Sequence, residues 1–89
     1  MDMEDIFKTN LQVRIIKLFL GNPERMFSTT MVARKLKSSP SAVISRLREL
    51  EKLGIIKVIQ ISRMKLYKLD LNNEITKVLL DFFKKISSL

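Results

Sequence analysis

Residues 28–54 of the chain are STTMVARKLKSSPSAVISRLRELEKLG, and they predict two helices joined by a tight turn. Ser28 can cap the first helix, because its hydroxyl can accept a hydrogen bond from a backbone N–H group of the first turn. Ser39 and Pro40 begin the second helix with a capping hydroxyl followed by proline at the first helical position. Gly54 follows the last turn, where glycine adopts the left-handed conformation at the lowest cost.

The turn between the two helices contains one unusual residue. Ala33 lies where the helices should approach each other most closely, and a larger side chain there would push them apart. Lys37 then occupies a position at which many such motifs have glycine. Because a left-handed backbone is costly for lysine, we expect a turn that is slightly longer or wound differently.

The second helix has two chemically different faces. Val43, Leu47 and Leu50 recur at helical spacing and form one apolar stripe. The opposite side carries hydroxyl and guanidinium groups, namely Ser41, Ser45 and Arg48, flanked by Ala42, Arg46 and Glu49. Arginine can donate two hydrogen bonds to a guanine edge, and serine is small enough to approach bases or phosphates. This composition suits a helix that enters the major groove of DNA, and taken alone it is equally compatible with a solvated amphipathic helix.

The net charge of +8 is concentrated in the middle of the chain. Residues 1–10 sum to −2 and residues 11–20 to +2, whereas residues 21–70 sum to +7 and residues 71–89 to +1. A basic surface of this kind attracts a polyanion such as double-stranded DNA. An anionic membrane surface is a weaker alternative, because no basic helix has an apolar face without another use.

Composition excludes several classes of function. The 89 residues suffice for one folded domain with a modest core. Without His and Cys the chain can build neither a Ser-His-Asp nor a Cys-His site nor a soft-metal site, and two glycines do not make a phosphate-binding loop. We therefore expect neither an enzyme nor a bound metal or cofactor.

The same residues predict the location of the protein. No apolar run reaches the roughly 18 residues that a membrane span needs, so we expect no membrane association. The first residues are acidic, unlike those of a signal peptide. The lack of Cys is compatible with a reducing cytosol, and we expect a cytoplasmic, nucleoid-associated protein.

Further elements are predicted on both sides of the helix pair. Residues 1–9 are an acidic lead-in, with a short helix expected over residues 4–7. Asn10 can cap a helix that runs to Leu20, and residues 26–27 predict a brief strand.

The hairpin predicted after the helix pair carries basic residues. Residues 55–71 are rich in β-branched and aliphatic side chains, and we expect two strands connected by residues 62–65. Arg63 and Lys65 at the tip would reach phosphates or the minor groove beside the second helix. Two further lysines lie on the strands, Lys57 and Lys68. Charges on edge strands also discourage aggregation, and this alternative stays open.

The last helix, expected from about residue 73 to residue 87 with Asn72 or Asn73 as its cap, is strongly apolar. Its apolar surface consists of Ile75, Val78, Leu79, Phe82, Phe83 and Ile86. One face could cover the first helix of the same chain, but so small a domain has little core left to bury both faces. Exposed apolar area of this extent usually indicates an interface, so we predict a homodimer built from this helix rather than a monomer.

In residues 32–36, VARKL, and residues 39–56, SPSAVISRLRELEKLGII, the chain resembles winged helix–turn–helix transcription regulators. It is most similar to the small ArsR-like and MarR-like proteins of bacteria and archaea. The resemblance covers residues 10–87, and it implies one mainly α-helical domain over residues 1–89, in the order α-α-α-β-β-α with a small β-hairpin wing.

The resemblance also implies which residues contact DNA. The helix at about residues 40–53 would occupy the major groove, and the wing at about residues 60–66 would touch the flanking backbone. By position, the contacts fall on Ser39, Ser41, Ala42, Ser45, Arg46, Arg48, Arg63 and Lys65. The metal-sensing branch uses Cys and His ligands that this chain lacks, and we expect no dedicated small-molecule ligand.

The expected function is a sequence-specific, dimeric DNA-binding transcriptional regulator, a repressor rather than an activator. Two alternatives remain open. One is a sequence-neutral nucleoid protein of the same fold, and the other is a winged helix that binds a different protein within a larger complex.

Overall fold

Helices and a single hairpin follow one another along the part of the chain that the computed structural model describes, residues 10–88. The elements are α1 (Leu11–Leu20), α2 (Thr29–Leu36), α3 (Pro40–Lys52), β1 (Ile56–Ile61), β2 (Met64–Leu69) and α4 (Glu74–Ser87). This order confirms the predicted mainly α-helical winged fold. The lead-in predicted over residues 1–9 lies outside the described residues.

Side-chain caps start three of these helices. The hydroxyls of Ser28 and Ser39 and the side-chain oxygen of Asn73 accept hydrogen bonds from backbone N–H groups of α2, α3 and α4. The donors are Met31, Ala42 and Thr76, at 3.1, 3.3 and 3.1 Å. Asn10 directly precedes α1, as predicted, but its side chain makes no capping hydrogen bond. The prediction that Asn10 caps this helix through its side chain is therefore wrong.

The turn after α2 is an ordinary left-handed helix ending in which lysine replaces glycine. Lys37 has φ 53° and ψ 47°. Its N–H donates to the carbonyl of Arg34 at 3.4 Å, and the N–H of Ser38 donates to the carbonyl of Ala33 at 3.0 Å. These two bonds satisfy carbonyls that the helix end would otherwise leave unpaired. The expectation of a longer or differently wound turn is therefore wrong, since the backbone bonds hold lysine in the conformation that glycine usually takes.

The end of α3 repeats this arrangement with glycine. Gly54 has φ 78°, and its N–H donates to the carbonyl of Glu51 at 2.9 Å. The N–H of Ile55 donates to the carbonyl of Leu50 at 3.1 Å. The two helices of the central pair thus end in the same hydrogen-bond pattern, as the position of Gly54 predicted for α3.

The core lies between the helices and one face of the hairpin. It consists of Ile15, Phe19, Leu20, Phe27, Val32, Ala33, Val43, Leu47, Leu50, Ile55, Ile56, Tyr67 and Leu69. Phe19 and Phe27 meet edge to face, with ring centroids 5.1 Å apart. Arg14 ties α1 to the end of α2, because its Nη2 donates to the carbonyl of Leu36 at 2.6 Å.

The two strands of the hairpin pair in antiparallel register from Ile56 opposite Leu69 to Ile61 opposite Met64. The connection is therefore only Ser62 and Arg63, and the prediction that residues 62–65 form it is wrong. Ser62 has φ 57°, which resembles the first central residue of a type II′ turn. Pairing can consequently continue to Met64.

The short strand predicted at residues 26–27 is present as a single bridge. Phe27 and Tyr67 exchange two backbone hydrogen bonds, at 2.8 and 2.7 Å. This bridge fixes β2 against the segment before α2 and buries both aromatic rings.

The N-terminus of α4 rests on the junction between α3 and β1. The hydroxyl of Thr76 is fully buried and donates to the carbonyl of Ile55 at 3.0 Å. The same carbonyl accepts the N–H of Asp70 at 2.9 Å. The side chain of Asn73 lies against Gly54, so that a Cβ at Gly54 would be 2.6 Å from its Nδ2.

Candidate nucleic-acid interface

The outward face of α3 is open to solvent. Val43, Leu47 and Leu50 are fully buried or nearly so and hold the opposite stripe of the helix in the core. Four of the expected contact residues of this helix are exposed, namely Ser41, Ser45, Arg46 and Arg48. Ala42 is half-buried. The structure therefore leaves these side chains accessible, with Ser41, Ser45 and Arg48 on one side of the helix and Arg46 at the flank beside Glu49.

Ser39 combines capping with exposure at the start of this surface. Its Oγ accepts the N–H of Ala42 and lies 3.4 Å from Oγ of Ser41. Both hydroxyls stand beside the N-terminus of α3, where unpaired backbone N–H groups favour an anion such as a phosphate.

The two arginines of α3 are held differently. Nη1 of Arg46 lies 3.5 Å from Oε2 of Glu49, and both side chains are about half exposed. An exposed pair of this kind contributes about 0–1 kcal/mol, so Arg46 can exchange Glu49 for another partner at little cost. Arg48 has no ion pair or hydrogen bond among residues 10–88.

The hairpin adds cations beside this surface. Arg63 is exposed in the turn and Lys65 is exposed on β2, as expected for the tip of a wing. Lys57 lies directly opposite Lys68 across the two strands. Like charges at facing positions destabilise a sheet, and a bound polyanion would relieve this repulsion. Residues 55–69 contain no acidic residue.

The residues predicted to form a dimer interface divide between two sides of α4. Leu79 and Phe83 are half-buried and pack against the core of the same chain. The remaining four are 49–68% exposed, and they are Ile75, Val78, Phe82 and Ile86. These four recur at intervals of three and four residues and therefore form one apolar stripe on the outside of α4.

Residues 10–88 contain no group of three His, Cys, Asp or Glu side chains that could hold a metal ion. None of the helices in that range has the length and apolar content needed to cross a bilayer.

Solved structures show the same arrangement of a helix pair followed by a hairpin. ZitR from Lactococcus lactis is 26% identical to this chain with a TM-score of 0.65, over 92% of this chain and 65% of ZitR. The fold is a winged helix–turn–helix. The resemblance to small winged-helix regulators is thereby confirmed for the architecture, and no enzyme fold is indicated by the neighbours.

Two other solved structures with the same fold are a repressor and a protein bound to DNA. The adhesin competence repressor AdcR from Streptococcus pyogenes has a TM-score of 0.68 at 21% identity, and MepR from S. aureus bound to an oligodeoxyribonucleotide has a TM-score of 0.71 at 20% identity. Both matches cover 89% of this chain and 57% of the other protein. The winged-helix chain thus spans little more than half the length of these neighbours. No protein-family model matches the sequence, and no curated protein is similar to it.

One feature of the surface was missed by the sequence analysis. The hairpin has an apolar outer face as well as a buried inner face, formed by Ile59, Ile61, Met64 and Leu66. The alternation of Ile59 and Ile61 with Val58 and Gln60 contains this signal, but only the register shows which set faces the core.

Proposed function

We propose that this winged helix is a sequence-specific, dimeric DNA-binding transcriptional regulator that acts as a repressor. The observation that carries the proposal is the accessible serine and arginine face of α3, which lies opposite a fully buried stripe and is followed by a hairpin without acidic residues. Winged-helix regulators are its structural neighbours, and one of them is bound to DNA. A role on chromosomal DNA implies a cytoplasmic, nucleoid-associated protein.

In this proposal α3 lies in the major groove, which at about 12 Å admits a helix. Arg48 is the best candidate for a bidentate contact with guanine, since it has no competing partner within the described chain. Arg46 takes a second base or a phosphate after releasing Glu49. Ser39, Ser41 and Ser45 bond phosphates or base edges, and Ala42 contacts a thymine methyl group. Arg63 and Lys65 bind the flanking backbone.

The dimer in this proposal is formed by the exposed stripe of α4. A helix of 14 residues is about 21 Å long, and the stripe runs from Ile75 near its start to Ile86 near its end. Paired along this stripe, two chains would bury the largest exposed side chains of α4, among them Phe82 at 61% exposure. Two α3 helices about 34 Å apart would then contact a pseudo-palindrome, and a dimer bound there would repress by occupying the site.

Selection of bound fragments from random DNA by the purified protein tests the DNA-binding part. If Arg46 or Arg48 contacts a base, its substitution with alanine lowers affinity by about 1–3 kcal/mol and relaxes the selected sequence at one position. Arg63→Ala weakens all sequences alike and lowers the slope of log K against log salt by about one. Lys84→Ala, which removes one exposed charge from α4, is the matched control.

Two experimental outcomes would contradict parts of the proposal. An unchanged sequence preference in both arginine variants would refute the base contacts of α3. A specificity ratio near one at physiological salt would favour the sequence-neutral nucleoid protein, which the acid-free hairpin supports.

The oligomeric state is tested by size-exclusion chromatography with light scattering. We expect a dimer for the unmodified chain and a monomer for Phe82→Glu, because the new charge would be buried without a partner. Asp81→Ala is the control, since Asp81 is exposed and its ion-pair partner within residues 10–88 is Lys85 on the same helix. A monomeric unmodified chain would support the alternative in which α4 binds a different protein.

A further inference from the structure

The outer face of the hairpin is an apolar surface that no function described so far uses. Ile61 faces Met64 and Ile59 faces Leu66 across the strands, and facing residues lie on the same side of a sheet. Ile61 and Met64 are 55% and 58% exposed, and none of the four belongs to the hydrophobic core. The core is instead contacted by the inner face.

The charges that the hairpin itself carries beside this apolar surface are all positive. The facing lysines Lys57 and Lys68 lie on the same side at its base, and Arg63 lies in the turn beyond its outer end. No acidic residue occurs between residues 55 and 69. A partner must therefore offer an apolar interior between anionic rims. The minor groove of DNA has this chemistry, because sugar rings form its walls and phosphates its rims.

We propose that Ile61 and Met64 form a wedge that inserts into the minor groove beside α3 and bends the DNA. The inference rests on the proposed function, since the wing reaches the minor groove only when α3 lies in the adjacent major groove. Isoleucine and methionine are among the side chains that enter base steps and kink a duplex by about 20–90°. Ile61 and Met64 are the outermost pair, next to a turn of two residues, so they lie where the wing is narrowest and can best approach a groove about 6 Å wide.

The arrangement of the pair suits insertion. Ile61 is β-branched and stiff at χ1, whereas the unbranched Met64 can follow an irregular gap between bases. The two-residue turn places both side chains directly behind Arg63, whose guanidinium can hold a phosphate at the groove rim. The wedge thus acts together with the cations, but its contribution to binding does not depend on salt.

The test measures bending and affinity on a duplex recovered by the protein from random DNA, with a dye at each end for energy transfer. The full chain should bring the dye-labelled ends together by a bend of about 20–90°. The double variant Ile61→Thr, Met64→Gln leaves every charge of the protein unchanged. It replaces two apolar side chains with polar ones that a strand can accommodate. We expect it to leave the duplex straight and to bind about a hundredfold more weakly, because the burial of each of the two side chains contributes about a factor of ten. The salt slope should stay the same, since the phosphate contacts are unchanged.

Met26→Gln is the matched control, because Met26 is a second exposed methionine and lies in the segment before α2. It should bend and bind DNA as the unmodified chain does. Circular dichroism verifies that all variants are folded.

The outcomes separate this inference from the function on which it rests. A straight duplex with the unmodified chain, or an equal bend with the double variant, overturns the wedge and leaves the regulator proposal intact. Recovery of no preferred fragment by the unmodified chain overturns both. If the double variant binds DNA normally but loses binding to phosphatidylglycerol vesicles, the apolar face binds lipid and the wedge is overturned.

Discussion

The two equivalent helix endings of this domain allow a direct measurement of what a left-handed lysine costs. Lys37 and Gly54 occupy the same position in the same hydrogen-bond pattern, with φ of 53° and 78°. We predict that Lys37→Gly gives a more stable protein than Lys37→Ala. Both variants remove the same charged side chain, so their difference reports the backbone alone.

The magnitude follows from two opposing terms. The left-handed conformation costs a residue with a Cβ about 1–2 kcal/mol. Glycine removes this cost, but its greater conformational freedom in the unfolded chain destabilises the folded protein by about 0.4–1 kcal/mol. The glycine variant should therefore exceed the alanine variant by about 1 kcal/mol in free energy of unfolding. For a domain of this size that difference corresponds to about 4–8 °C in Tm.

Thermal and urea unfolding at a fixed protein concentration without DNA measure the difference. The matched pair is Lys35→Gly and Lys35→Ala, because Lys35 is an exposed lysine within α2, two residues earlier. There the order should reverse, with the glycine variant less stable by about 1 kcal/mol. The same order of stability at both positions would refute the assignment of strain to Lys37.

Two further substitutions test the contact between α4 and the end of α3. Gly54→Ala should lower the free energy of unfolding by about 1–2 kcal/mol in urea titration. Alanine would have to adopt the left-handed backbone of Gly54, and its Cβ would displace the Asn73 side chain that caps α4. An unchanged urea midpoint would contradict this. Thr76→Val keeps the shape of a fully buried side chain but removes its bond to the Ile55 carbonyl, so we expect a loss of about 1 kcal/mol and a Tm lower by about 4–8 °C. A Tm equal to that of the unmodified chain would show that the hydrogen bond contributes no net stability.

The helices were predictable because their starts and their buried stripes depend on local sequence. Ser28, Ser39 and Asn73 cap helices through their own side chains, and the pattern of α3 places Leu47 in the core without reference to the rest of the chain. Asn10 failed as a cap because residue type permits a capping bond but does not enforce the side-chain orientation.

The hairpin was less predictable, because its ends are set by pairing rather than by turn residues. The tip contains no Asn-Gly or Asp-Gly pair that would locate a two-residue turn. Met64 and Lys65 were therefore assigned to the connection. In the structure they pair with Ile61 and Gln60, and Ser62 accepts the positive φ that a two-residue turn needs.

The apolar outer face of the hairpin was not predicted for the same reason, namely that strand pairing cannot be read from local sequence. Residues 55–61 are apolar on both sides of the strand, so alternation cannot tell which side faces the core. The choice is made by tertiary structure, since the bridge between Phe27 and Tyr67 fixes one side of β2 against the segment before α2. Ile56 and Leu69 lie on the same side as Tyr67 and are buried, whereas Ile61 and Met64 lie on the other side and stay exposed.

The attachment of α4 determines how a dimer would present its two α3 helices. Thr76 bonds the carbonyl that follows Gly54, and the exposed stripe of α4 begins at the adjacent Ile75. The proposed dimer surface is therefore anchored within one helical turn of the junction that ends α3, through a buried hydrogen bond and the packing of Asn73. Because that junction has little freedom, the separation of two α3 helices would be set by how the α4 stripes pair rather than by a flexible linker. A rigid separation is what a regulator needs to distinguish half-sites one DNA turn apart from half-sites at other spacings.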